Sequence, residues 1–215
     1  MAGDANERRL VAMLLILSVT TGMIDAVSVL GLGKVFTANM TGNIVFLGFA
    51  LAGVAGFSWV TCTVALASFL VGSALAARVC QAFRDRSQRQ WLLIMAVGET
   101  ALFWAAAALG WLAVASSQLA MVALTAIAMG ARNATVRQLK VADLTTTVLT
   151  LTITGLAADS TPAGGGNPNL VRRLLAVLGI LAGALVGALM WKLTGVAMPL
   201  LLAGAIVLVV TWLLA

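Results

Sequence analysis

Apolar side chains dominate the sequence from about residue 10 to its end. Short polar stretches divide it into segments at about 10–32, 39–56, 58–82, 91–114, 117–138, 141–158, 171–193 and 197–215. Six of these are long enough for a helix to cross the roughly 30 Å hydrocarbon core of a bilayer. The segments 39–56 and 141–158 are shorter and carry many polar side chains. The pattern therefore predicts an all-α polytopic membrane protein with about six full transmembrane helices plus two short broken or re-entrant polar segments. Phe36-Thr-Ala-Asn-Met-Thr-Gly-Asn43 is the sharpest polar interruption. Lys34 to Thr37 reads as extended chain, and Asn39 and Thr41 as helix N-caps, so a helix from Thr41 or Gly42 would begin at membrane depth. Irregular backbone at that depth survives only where it is buried in protein or lines a wet cavity.

Composition narrows the class further. The chain has 215 residues, of which 62% are hydrophobic and 9% charged, and its mean hydropathy is +1.08. A soluble domain of this make-up would have an apolar surface, whereas a bilayer accepts one. The net charge of +6 sits in short loops, where it reports orientation against the membrane and gives no reason to expect nucleic acid. Arg8-Arg9 precedes the first apolar run, but with Asp4 and Glu7 beside it and no small-residue cleavage site this reads as a retained first span. Cys62 and Cys80 read as small apolar residues of a helix. Histidine and tyrosine are absent, and no Walker loop, HExxH helix or nucleophile elbow occurs. The expectation is therefore no enzyme, no cofactor and no metal.

Arginine placement chooses between two topologies. If both short segments crossed, Arg8-Arg9 and Arg172-Arg173 would share a face opposite the Arg84–Arg89 cluster. If each short segment returns to its own side, the arginines fall on one face, with Lys34 and Lys192 on the other, and both termini lie in the cytoplasm. The same choice accommodates an internal repeat. Gly22-Met-Ile-Asp-Ala26 matches Gly130-Ala-Arg-Asn-Ala134, the run Asn39–Asn43 corresponds to Thr145–Thr150, and Val71–Ala76 resembles Ala182–Gly187. One transmembrane domain would then comprise repeat 1 at about 10–114 and repeat 2 at about 117–215. Three crossings per half make the repeats inverted, an architecture common in secondary transporters.

Thr21-Gly-Met-Ile-Asp-Ala26, Phe36–Asn43 with Leu47-Gly48, Gly130–Ala134 and Asp143-Leu-Thr-Thr-Thr147 resemble the YoaK family of bacterial membrane proteins, a family of unknown function. The resemblance covers nearly the whole chain. It implies a small bacterial inner-membrane protein with about six spans, and it supplies no substrate.

Charged and amide side chains within spans are the candidates for function, because they are costly there and commonly mark pathways. Asp25 lies in the first span, Glu99 in the fourth segment, Arg132 and Asn133 late in the fifth, and Asp143 opens the second polar stretch. Asp25 and Glu99 are candidates for proton coupling, and Arg132 for neutralising an anion. A buried Asp25–Arg132 bridge is the structural alternative, and Glu99 could instead neutralise an arginine of a neighbouring helix. Asn39, Thr41 and Asn43 from one half and Thr145, Thr146 and Thr147 from the other would offer polar groups at two facing half-helix N-termini. Gly179, Gly183 and Gly187, with Ser68, Gly72 and Ala76, form small-residue stripes suited to close packing within one chain or in a homo-oligomer.

These features lead to an expectation of a secondary transporter for a small polar solute, an anion or weak acid before a cation. The alternatives are a permease for a nucleobase-like neutral solute and a non-transporting scaffold whose polar motifs are packing devices. The partners expected are the lipid bilayer and the solute.

Overall fold

The computed structural model describes residues 2–83, 86–112, 117–141, 146–147 and 149–215, and of residues 2–5 the backbone alone. Eight α-helices follow one another, and no strand occurs among the described residues: α1 Ala2–Gly31, α2 Met40–Leu51, α3 Trp59–Ala82, α4 Gln88–Trp111, α5 Gln118–Leu139, α6 Thr150–Ala158, α7 Leu170–Thr194 and α8 Ala197–Leu214. Six of them, α1, α3, α4, α5, α7 and α8, are long and apolar enough to cross a membrane. The 12 residues of α2 and the nine of α6 reach only about 18 Å and 14 Å at 1.5 Å per residue, too short to span. Polar side chains start several helices where the pattern changes. The Ser58 hydroxyl accepts from Thr61 N–H at 3.3 Å, and the Ser87 hydroxyl from Gln90 N–H at 3.4 Å.

Packing follows a consistent order. α1 lies against α7 and α8, α5 against α3 and α4, and α4 against α8; α1 and α5 meet only briefly. α2 rests on α3, and α6 on α7. The interior is filled by Met13, Leu14 and Ile24 of α1, Phe103 of α4, Val122 and Met129 of α5, and Leu200 of α8. Leucines on the outer face of α7 are exposed instead, Leu193 at 81%. In water such a surface would be costly; against lipid tails it is neutral.

Close approach through glycine sets the tightest contacts. A Cβ on Gly22 would stand 2.1 Å from the carbonyl oxygen of Ile180, and one on Gly130 2.1 Å from that of Phe69. Likewise a Cβ on Gly183 would stand 1.9 Å from the Val19 oxygen, and one on Gly72 2.1 Å from that of Ile127. These contacts are two exchanged pairs: one shift along the sequence carries Gly22 to Gly130 and Val19 to Ile127, and a second carries Phe69 to Ile180 and Gly72 to Gly183. The α1–α7 and α3–α5 interfaces are thus built alike. The small-residue stripes of α3 and α7 are consumed inside one chain, by α5 and α1.

Replacing Gly183 by Ala drives a methyl group into the backbone of α1 and should destabilise the detergent-solubilised protein by about 1–3 kcal/mol, the usual cost of overpacking. Gly98→Ala, with open space around its Cβ position, should leave the unfolding temperature within error of wild type. Equal shifts for the two variants in a thermal melt would contradict the packing described.

A buried polar network and two broken segments

The break between α1 and α2 is a self-tied turn. Gly33 at φ +94° and Lys34 at φ 55° reverse the chain after α1, so the extended stretch expected from Lys34 to Thr37 is bent at its first residue. Asn43, fully buried, then clasps the backbone of Phe36: it accepts the Phe36 N–H at 2.8 Å and donates Nδ2 to the Phe36 carbonyl at 2.6 Å. The Asn39 side chain caps α2 by accepting from Gly42 N–H at 3.4 Å. Gly42 is required because a Cβ there would stand 2.7 Å from the Phe36 ring. Thr41, expected to face inward, is exposed. Most of the polar motif thus builds its own turn. In this conformation the buried Asn43 amide spends both N–H groups and one Oδ1 lone pair on its own segment, the second N–H on Met40 Sδ at 3.6 Å.

The second break is chemically different. Thr146 takes φ 57° and is buried, as is Thr147, whose hydroxyl bonds Asn133 Oδ1. Asn133 Nδ2 donates to Met129 O at 2.9 Å. The N-cap of α6 is Leu149, with no side-chain cap hydrogen bond, so neither Thr146 nor Thr147 stands at the N-cap position expected of them. Asp143 and Thr145 lie outside the described residues. Because α2 sits on α3 and α6 on α7, which flank opposite sides of the bundle, the two short helices do not face each other as a packed pair.

At the centre, Arg132 of α5 is held by α1 and α4. Its Nη1 donates to Thr20 Oγ1 at 2.8 Å, Thr21 Oγ1 at 3.0 Å and the Leu17 carbonyl at 3.2 Å, all on α1. Its Nη2 forms an ion pair with Glu99 of α4, and its guanidinium lies 5.8 Å from the Phe103 ring centroid. Arg132 and Glu99 are buried, and the cavity beside them has a volume of about 20 Å³, room for about one water. Glu99 therefore takes the role of neutralising a neighbouring arginine, and Arg132 is engaged with it instead of with Asp25. Helix periodicity alone does not mark Thr20 and Thr21 as its acceptors, although that pair lies one turn from Asp25.

Asp25 is left over. The backbone N–H of Ala38 faces its carboxylate, and Arg132 attracts it electrostatically. Its Oδ1 is buried without a hydrogen-bond partner, as is Oγ1 of Thr37 next along the chain from Ala38. Between α3 and α5 an open groove of about 840 Å³ reaches Asn133 and is lined also by Ser73, Arg137, Lys140 and Val141. Arg137 and Lys140 are exposed there. Farther out, Arg173 of α7 bonds Asp159 Oδ2 at 2.7 Å beside Gly155 of α6, an ion pair that sequence reading did not anticipate.

Six membrane-length apolar helices around a buried charged pair define a multi-pass helical membrane protein. The chain belongs to the family described as "Protein of unknown function (DUF1275)", whose model matches residues 13–213. It is 29% identical over 147 residues to the UPF0700 transmembrane protein YoaK of Bacillus subtilis (strain 168), a match covering 68% of this chain and 65% of that relative, less than two thirds of its length. No solved structure matches.

Glu99→Gln breaks the buried Arg132–Glu99 pair and should cost about 3–5 kcal/mol, whereas a double Glu99→Leu/Arg132→Met variant should recover most of that loss. Denaturation of both variants in the same detergent measures the difference. A single variant as stable as wild type would mean that the pair is not closed in the membrane.

Proposed function

We propose that this protein is a permease for a small anionic solute, built from two oppositely inserted halves in the bacterial inner membrane, with both termini cytoplasmic. One observation carries the reading: the matched positions Asp25 and Asn133 each lie beside a break between helices inside the bundle, and the second opens onto the groove lined by Arg137 and Lys140. Broken helices with polar side chains at membrane depth suit a solute path, because a solute can take the place of water for groups that lipid cannot satisfy. The two cationic side chains at the groove favour a negative solute; Asn133 and Ser73, farther in, are bonded to Thr147, Met129 and Gly130 in this conformation and would have to exchange those bonds for a solute's. With Arg132 closed by Glu99 and the central cavity at water size, the conformation described is one in which the path is shut.

The scaffold alternative draws support from Asn43 and Arg132, whose polar groups bind their own chain. Uptake decides between the two. Proteoliposomes holding the wild-type chain should accumulate a small anion from a panel of inorganic and carboxylate anions. Arg137→Ala/Lys140→Ala should raise the apparent KM about tenfold or more, in keeping with losing two charge contacts, while leaving folding unchanged. No uptake of any anion by the wild type, or full uptake by the double variant, would overturn the reading.

Orientation has its own test. In a background lacking Cys62 and Cys80, Lys140→Cys should react with a membrane-impermeant maleimide only in inverted vesicles, and Lys34→Cys only in intact spheroplasts. Labelling of both from one side would refute the opposite insertion of the halves.

A further inference from the structure

Among the described residues, charge in the bundle interior does not balance. Glu99 and Asp25 present two carboxylates to the guanidinium of Arg132, and Arg132 is already joined to Glu99 and to three oxygens of α1. Lys34 and Lys192, the lysines at this end of the bundle, are exposed, and Lys34 lies 5.8 Å from the Phe57 ring centroid. Arg173, the remaining buried arginine among the described residues, bonds Asp159 at the α6–α7 contact. Asp25 therefore lacks a counter-ion of its own, and an isolated charge at membrane depth is costly. Its Oδ1 and the Thr37 hydroxyl oxygen, both buried and both without a partner, can each donate a lone pair. The break after α1 places Thr37 one residue from Ala38, whose backbone N–H faces the Asp25 carboxylate.

We infer that Asp25 and Thr37 form a site for one removable monovalent cation, a proton or an alkali-metal ion, which serves as the coupling ion of the permease proposed above. A single positive charge closes the interior count, whereas a divalent ion would overshoot it. Carboxylate and hydroxyl are hard oxygen donors of the kind such ions select. The second half has no equivalent, because the position matching Asp25 is Asn133, a neutral amide already bonded by Thr147. The two halves thus divide the work: one holds the ion, and the other, beside the basic groove, receives the solute.

Binding can be read without transport. The full-length protein in detergent is melted while sodium chloride replaces choline chloride at constant ionic strength and pH, with lithium and potassium in parallel. Infrared difference spectra across a pH titration follow protonated carboxyl groups. An alkali-ion site gives a saturable, ion-selective rise in unfolding temperature; a proton site gives no ion effect but a carboxylic-acid band that titrates. In either case Asp25→Asn abolishes the signal and Thr37→Val weakens the apparent affinity about tenfold. If Asp25→Asn does not fold, Asp25→Glu and Thr37→Val must still shift the titration. A wild type with neither signal, or a signal retained in Asp25→Asn, overturns the site. Such a failure leaves the anion permease standing or falling on the Arg137/Lys140 uptake assay alone, since that assay needs no cation binding at Asp25.

Discussion

The guanidinium of Arg132 ties the bundle together. Water is absent from the bilayer interior, so every charged group there must be satisfied by the protein itself. Arg132 meets that demand by drawing on α1 for three oxygens, on α4 for a carboxylate and on the Phe103 ring for its face. α1, α4 and α5 are thereby fixed in register at one level. Phe103, Leu14 and Met129 seal the same level with apolar contact. Thr20 and Thr21, unremarkable as helix residues, take their place from this need.

Around that knot the two halves share a backbone plan and differ in chemistry. Gly22 and Gly130 admit their neighbours to the same distance, and Val19 and Ile127 receive the reciprocal glycines. The side chains at the breaks then diverge. Asp25 faces a backbone N–H where Asn133 takes a threonine hydroxyl. Asn43 clasps Phe36, but the residue at the corresponding place in α6, Leu151, is 77% exposed. Like backbone contacts with unlike polar groups thus give two positions of related geometry, one carrying a carboxylate and the other an amide.

Much of this was legible in the sequence. Segment lengths separated the six long helices from α2 and α6, because spanning demands length and apolarity and both are countable. The match of Gly22-Met-Ile-Asp with Gly130-Ala-Arg-Asn pointed to the positions that the glycine contacts then exchanged. The site was less legible. Partner choice among Asp25, Glu99 and Arg132 depends on which helix faces which, and periodicity does not encode that. The motif Asn39-Met-Thr-Gly-Asn43 announced a helix start correctly, and Asn39 does cap it. Its second asparagine looked free for a ligand because nothing in a linear sequence says that Asn43 reaches back seven residues to Phe36.

The glycine-lined interfaces carry a mechanical consequence. Backbone pressed to backbone leaves no room to slide, so α1 with α7 and α3 with α5 behave as two stiff double staves. The staves touch each other directly only where α1 passes α5; α4 and α8, packed closely together and bonded from Thr100 to Gly204 and from Trp104 to Leu201, join them. Any tilt of one stave against the other must therefore carry α4 and α8 with it.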